Sequence, residues 1–168
     1  EQRYLGKGPR PRALEGLPLA IKDEMPVAGQ PNTFGSIPFK DRIADHTAPL
    51  AERALRAGAI IHARTTQPEF ACMPFTHSRL YGITRNPWNP AYDVGGSSGG
   101  AAASLAAGTT ALAGGSDIGG SIRIPASCCG VVGFKLSYGR VPQDPPFNLD
   151  HYCHEGPLAR TVGDAALF

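Results

Sequence analysis

The sequence predicts an α/β fold, a mixed, largely parallel twisted sheet covered by helices on both faces. Short apolar runs that read as buried strands recur along the chain, and segments with helical spacing stand between them. Glycine and proline clusters punctuate the joints, and no internal repeat or low-complexity tract interrupts the pattern.

The elements follow in order. Residues 1–12, with the basic, proline-rich GKGPRPR, read as a mobile connector. Leu17 to Ile21 is a buried strand ending at Lys22, followed by an irregular loop from Glu24 to Asp45. Thr47 is placed to cap a helix running through Ala57, with Leu50, Ala54 and Leu55 on one face and Gly58 ending it. Ala59 to Ala63 is a second strand, and the proline-rich stretch from Pro68 to Asp93 is irregular. An alanine-rich helix over Gly100 to Ala107 precedes a strand at Thr109 to Ala113. A short helix over Ser121 to Cys128, a strand at Val131 to Phe134 and a helix within ARTVGDAALF complete the pattern.

Composition excludes more than it selects. Sixteen Lys and Arg against fourteen Asp and Glu give a formal charge of +2, too small and scattered for nucleic acid or an anionic membrane. No apolar run reaches the ~18 residues of a membrane span. Four cysteines without CxxC spacing fit free thiols in a reduced, cytoplasmic setting, with the adjacent Cys128 and Cys129 expected to be buried. His151, Cys153 and His154 fall within four residues, but a zinc site needs a fourth group that the spacing does not supply. No metal or cofactor is therefore expected, and the loop reads either as solvated or as a rim that touches substrate.

Chemistry concentrates between Gly95 and Pro125, where serines sit inside two glycine clusters: Ser97 and Ser98 in GGSSGG, and Ser121 after Gly119 and Gly120. Glycines let backbone N–H groups approach a ligand, so the second cluster has the makings of an oxyanion hole. Asp117 and Arg123 flank that turn and are placed to pair with each other as supports. Upstream, Lys22 ends an apolar strand, where desolvation can remove its charge. No lysine followed by serine or threonine succeeds the glycines, which argues against a P-loop.

The segments LPLAIKD, TTQPEFA, TRNPWNP, GGSSGGAAASLAAG, GGSDIGGSIRIPASCCGVVGFK, YGRVP and GPLARTVGDAA together resemble the amidase signature family over essentially the whole chain. The resemblance implies a Ser–Ser–Lys triad with Lys22 as base, Ser97 as bridging serine after a cis peptide, and Ser121 as nucleophile. It also implies that the backbone amides of Ile118, Gly119, Gly120 and Ser121 hold the oxyanion. Ser98 reads as a donor behind the triad or as the cap of the alanine helix. The implied activity is hydrolysis of a small-molecule carboxamide, with homo-oligomerisation left open. The family's catalytic unit is more than twice as long, so the chain is expected to be the N-terminal part of one catalytic domain, with much of the acyl-group wall supplied by the remainder.

Three departures from the family's usual pattern stand out. Glu24 replaces a small polar residue and, by strand alternation, falls on the same side as Lys22, where a carboxylate would favour the ammonium. Val94 and Leu136 occupy positions where proline is usual. Two alternatives stay beside the amidase reading: the glutaminase subunit of a tRNA-dependent amidotransferase, and a non-catalytic ligand-binding protein. The presence of Lys22, Ser97 and Ser121 together argues against the second.

Overall fold

The computed structural model describes residues 2–168. Five strands form the main sheet: β1 (Pro18–Lys22), β2 (Ile60–Thr65), β5 (Leu112–Asp117), β6 (Val132–Gly133) and β7 (His154–Ala159). Their order is β2-β1-β5-β7-β6. The pairs β1–β2 and β1–β5 are parallel, whereas β7 runs antiparallel to both β5 and β6. A separate antiparallel pair joins β3 (His77–Ser78) to β4 (Gly82–Ile83).

Alternation along β1 builds two cores. Leu19 and Ile21 face one side with α1 (Pro49–Arg56) and α4 (Val162–Leu167), packing against Leu50, Ala54 and Ala165. Ala20 faces the other side with α2 (Gly99–Ala106) and α3 (Arg123–Cys129), among Ala101, Leu105, Ile122 and Ala126. Leu19 and Ile21 are fully buried, each contributing about 1.5–3 kcal/mol relative to exposure. Helices thus cover both faces, and the sheet presents the carboxyl ends of β1 and β5 side by side.

The elements depart from the sequence expectations in informative places. Thr47 does not cap α1; its Oγ1 accepts the Ala28 N–H at 3.0 Å, and the helix starts at Pro49 with Ala48 in the cap position. Leu55 is exposed rather than on the buried face. The third strand begins at Leu112, not Thr109, and runs on through Asp117, so Gly114, Gly115 and Ser116 belong to the sheet. Cys129 is buried but Cys128 is exposed, and both are free thiols. β7 has no counterpart among the strands expected from sequence, because HEGPLA combines an acid, a glycine and a proline in six residues. Gly156 is required by close approach: a Cβ there would stand 2.6 Å from the Phe134 carbonyl oxygen.

Small residues let α2 lie against the backbone. A Cβ on Gly100 would meet the Thr66 N and carbonyl oxygen at 2.5 and 2.7 Å, where backbone cannot yield cheaply. Gly100→Ala is therefore expected to destabilise the fold by about 1–3 kcal/mol. A urea midpoint equal to wild type would show that α2 can shift without cost.

Candidate active site

At the end of β1 the Lys22 side chain is fully buried. Its Nζ lies 2.7 Å from Ser97 Oγ, 2.8 Å from Ser116 Oγ and 3.1 Å from Glu24 Oε1. Three acceptors thus match the three N–H bonds of an ammonium. The Glu24 contact anticipated from strand alternation is present, and Ser116 Oγ donates a further, short hydrogen bond to the same carboxylate. Arg64 of β2 fixes this end of β1 by donating from Nη2 to the carbonyls of Lys22, Asp23 and Met25. Asp23 turns the other way and accepts from Thr33 and Gly35 at 2.7–3.0 Å, anchoring the following loop.

Ser97 follows a cis Gly96–Ser97 peptide and is buried. Ser98 holds the two glycine clusters together: its N–H donates to the Ser121 carbonyl at 3.1 Å, while its Oγ exchanges 3.3 Å contacts with the backbone of Ser116. The Ser98 hydroxyl does not cap α2.

Ser121 lies in the turn between β5 and α3, and its hydroxyl makes no hydrogen bond among the described residues. Ser97 and Ser121 line one cavity of about 500 Å³ without bonding to each other. The backbone amides of Ile118, Gly119 and Ser121 likewise make no hydrogen bond among the described residues. Gly120 differs, because its N–H donates to Asp117 Oδ1 at 2.8 Å and is already engaged.

Asp117 explains the shape of the turn. Its buried carboxylate accepts from the amides of Gly120 and Ile122, and from Arg123 Nε and Nη2 at 2.9 Å each. Lys135 Nζ adds a 3.1 Å contact and also donates to the Ile118 carbonyl. Burial alone would raise the Asp117 pKa, but the bonds from Arg123, Lys135 and the two amides outweigh it and hold the carboxyl below the usual carboxylate range. A carboxyl lowered in the folded state contributes stability above its unfolded pKa of about 3.9, lost as pH falls through the folded value. Asp117→Asn is therefore expected to cost about 3–5 kcal/mol at pH 7 and to flatten the fall in stability on acidification. Urea titrations of both proteins between pH 7 and pH 3 check this; parallel curves would remove Asp117 from the account.

Sequence reasoning did not single out Ser116, Lys135 or Glu155. Ser116 was hidden because the strand was expected to stop at Ala113; a strand drawn through Asp117 would have brought it beside Lys22. Glu155 lies on β7, which carries no strong strand signal, and Lys135 stands just past the expected strand at Val131 to Phe134, where nothing local shows that it reaches Asp117. The residues His151 to His154 do not converge as a group. His151 stacks on Tyr138, His154 Nδ1 meets the Tyr152 carbonyl at 2.9 Å, and buried Cys153 lines the cavity. Burial, and then Glu24, Asp150 and Glu155, push the Cys153 thiol up to about 12.

The far wall of the cavity is apolar. Phe34, Phe39 and Phe70 form a trio with centroids 5.9–6.3 Å apart, and the Arg42 guanidinium lies 5.1 Å over Phe34. Phe34 and Phe70 have φ of 53° and 52°, a left-handed conformation uncommon for bulky residues and tied here by a 2.8 Å bond from Phe70 N to the Phe34 carbonyl. Such strain clusters at ligand clamps.

The chain matches the amidase family over residues 2–168. It is similar to an indoleacetamide hydrolase of Bradyrhizobium diazoefficiens, with 42% identity over 168 residues, covering 96% of this chain and 32% of the relative. It is also similar to a glutamyl-tRNA(Gln) amidotransferase subunit of Nitratidesulfovibrio vulgaris, 46% identical over 160 residues and covering 93% and 32% of the two chains. The crystal structure of a bacterial aryl acylamidase of the amidase signature family superposes with a TM-score of 0.90 at 38% identity, covering 99% of this chain and 35% of that one. The chain spans about a third of the length of these relatives. With a match along nearly all described residues and the same sheet in three dimensions, this chain belongs to the amidase family.

Proposed function

We propose that the chain carries the acyl-transfer core of an amide hydrolase that cleaves a carboxamide C–N bond through a serine acyl-enzyme. The observation that carries this reading is the buried Lys22 Nζ, 2.7 Å from Ser97 Oγ, at the edge of a cavity that Ser121 also lines. In its neutral form Lys22 takes the Ser97 proton, Ser97 takes that of Ser121, and Ser121 Oγ attacks the carbonyl. The relay requires the Ser97 and Ser121 hydroxyls to close to hydrogen-bond distance with substrate bound, as catalytic contacts commonly do. The free amides of Ile118, Gly119 and Ser121 are placed to stabilise the developing oxyanion, while Gly120 serves the turn through Asp117. The proton returns through Ser97 to the departing nitrogen, and water then releases the acyl group by the same route.

The phenylalanine wall supports an apolar, aromatic-tolerant acyl group as the substrate class. Free buried thiols at Cys129 and Cys153 fit a reducing, cytoplasmic setting. Similarity to a tRNA-dependent amidotransferase component favours a second reading, a glutaminase-type subunit that works with a partner. Co-purification of a stable partner protein, together with glutamine-dependent ammonia transfer, would select that reading.

The test is covalent labelling of the full-length protein with a serine-directed fluorophosphonate, with the adduct mapped by mass spectrometry. Modification at Ser121 is expected. Labelling elsewhere would displace the nucleophile, and an unlabelled protein would favour ligand binding without turnover.

A further inference from the structure

One acid in the cavity is unused by the Lys22, Ser97 and Ser121 relay. Glu155 on β7 stands in register with Ser116 on β5. Residues directly opposite in an antiparallel pair project to the same face with Cβ atoms about 4.5–5.5 Å apart. Since Ser116 Oγ contacts both Lys22 and Glu24, Glu155 reaches the lysine cluster from the opposite side. It lines the cavity together with Ser97 and Ser121.

The other acids lining this cavity are paired, Glu24 with Lys22 and Asp144 with His46. Glu155 makes no hydrogen bond among the described residues, and its Oε2 is fully buried without a partner. A buried carboxylate in that position is relieved by taking up a proton. The charged and titratable groups around it are Glu24 and Lys22 at the end of β1, Asp144 in the loop before β7, and Cys153 two residues earlier. Burial first, then Glu24 and Asp144, with Lys22 opposing, push the Glu155 carboxyl up to about 8. Near neutral pH the cavity therefore holds a neutral carboxylic acid, a state suited to donating a proton.

We infer that Glu155 is a catalytic acid that protonates the leaving amine and captures it as an ammonium ion. This rests on the serine amidase reading. When the tetrahedral intermediate collapses, the C–N bond breaks and the pair stays on nitrogen. The proton returned through Ser97 makes a neutral amine or ammonia. Glu155 then passes its own proton to the nitrogen lone pair, leaving a carboxylate beside an ammonium. Hydrolysis of the acyl-enzyme produces a carboxylic acid, and the proton that this product gives up restores Glu155. The cycle closes without an outside acid, and the transfer opposes return of the amine to the acyl-enzyme, because an ammonium has no lone pair for attack.

The test compares kcat/KM of the full-length protein on phenylacetamide and on 4-nitrophenyl phenylacetate, which share one acyl group. A nitrophenolate leaves without a proton, so the ester reports Ser121 acylation alone. In Glu155→Gln the amide-to-ester ratio is expected to fall, by about 10-fold or more, because the unprotonated amine keeps the lone pair with which it returns to the acyl-enzyme. Both rates come from one preparation, so the ratio is independent of the folded fraction. If the glutamine variant yields too little protein, Glu155→Asp carries the same comparison, since a shortened acid should also lower the ratio. An unchanged ratio overturns the role of Glu155. If both activities of the wild type persist in Ser121→Ala, the Ser121 acyl-enzyme reading on which this inference rests has failed, a result distinct from an insensitive ratio.

Discussion

Ser121→Ala lowers kcat/KM for any amide substrate by at least about 10⁴-fold and abolishes fluorophosphonate labelling, if Ser121 is the nucleophile proposed here. The structure makes this a clean comparison. The Ser121 hydroxyl has no hydrogen-bond partner among the described residues, and the residue is only half-buried, so its removal leaves no orphaned group. The unfolding free energy should stay within about 0.5 kcal/mol of wild type. The Ser121 carbonyl, which accepts the Ser98 N–H at 3.1 Å, is unaffected by the change. Residual turnover near wild type in a protein of unchanged stability would move the nucleophile elsewhere in the cavity. Single-turnover kinetics with a chromogenic ester would measure the acylation step directly.

Lys22→Met carries the second large effect, an expected loss of about 10⁴-fold in kcat/KM. Methionine keeps the length of the buried stem while removing the group that contacts Ser97, Ser116 and Glu24. Unlike the serine change, this one leaves neighbours unsatisfied, because Glu24 retains only Ser116 as a side-chain partner. Adding Glu24→Gln should therefore restore stability without restoring rate, which separates the lysine's chemistry from its structural pairing. The shape of the pH–rate profile is the second readout. A profile identical to wild type would place the base elsewhere.

The two serine clusters and the lysine at a strand end were legible because they are local. Each depends on a few consecutive residues, and glycines that permit close backbone approach carry the same meaning wherever the chain runs. The contact between Lys22 and Glu24 was anticipated from strand alternation, but β1 ends at Lys22, and it is the turn closed by the Met25 N–H on the Lys22 carbonyl that brings Glu24 back to the lysine. The helix capped by Thr47 misled, because a hydroxyl that can cap a helix is equally able to accept another N–H, and Ala28 was within reach.

By itself, the sequence determined the α/β class, the two-sided burial of the sheet and the residue types gathered at the carboxyl ends of β1 and β5, because hydrophobic periodicity and glycine spacing act over short range. Only the tertiary structure decided that β5 runs on through Ser116 and Asp117, and that an antiparallel β7 lies beside it. Only it decided that Gly120 spends its amide on Asp117 and that Glu155 faces the lysine cluster without a partner. The physical reason is pairing. A strand such as HEGPLA, with little periodic signal of its own, is held by hydrogen bonds and packing from neighbours distant in sequence, and the charge state of a carboxyl depends on which of those neighbours surround it.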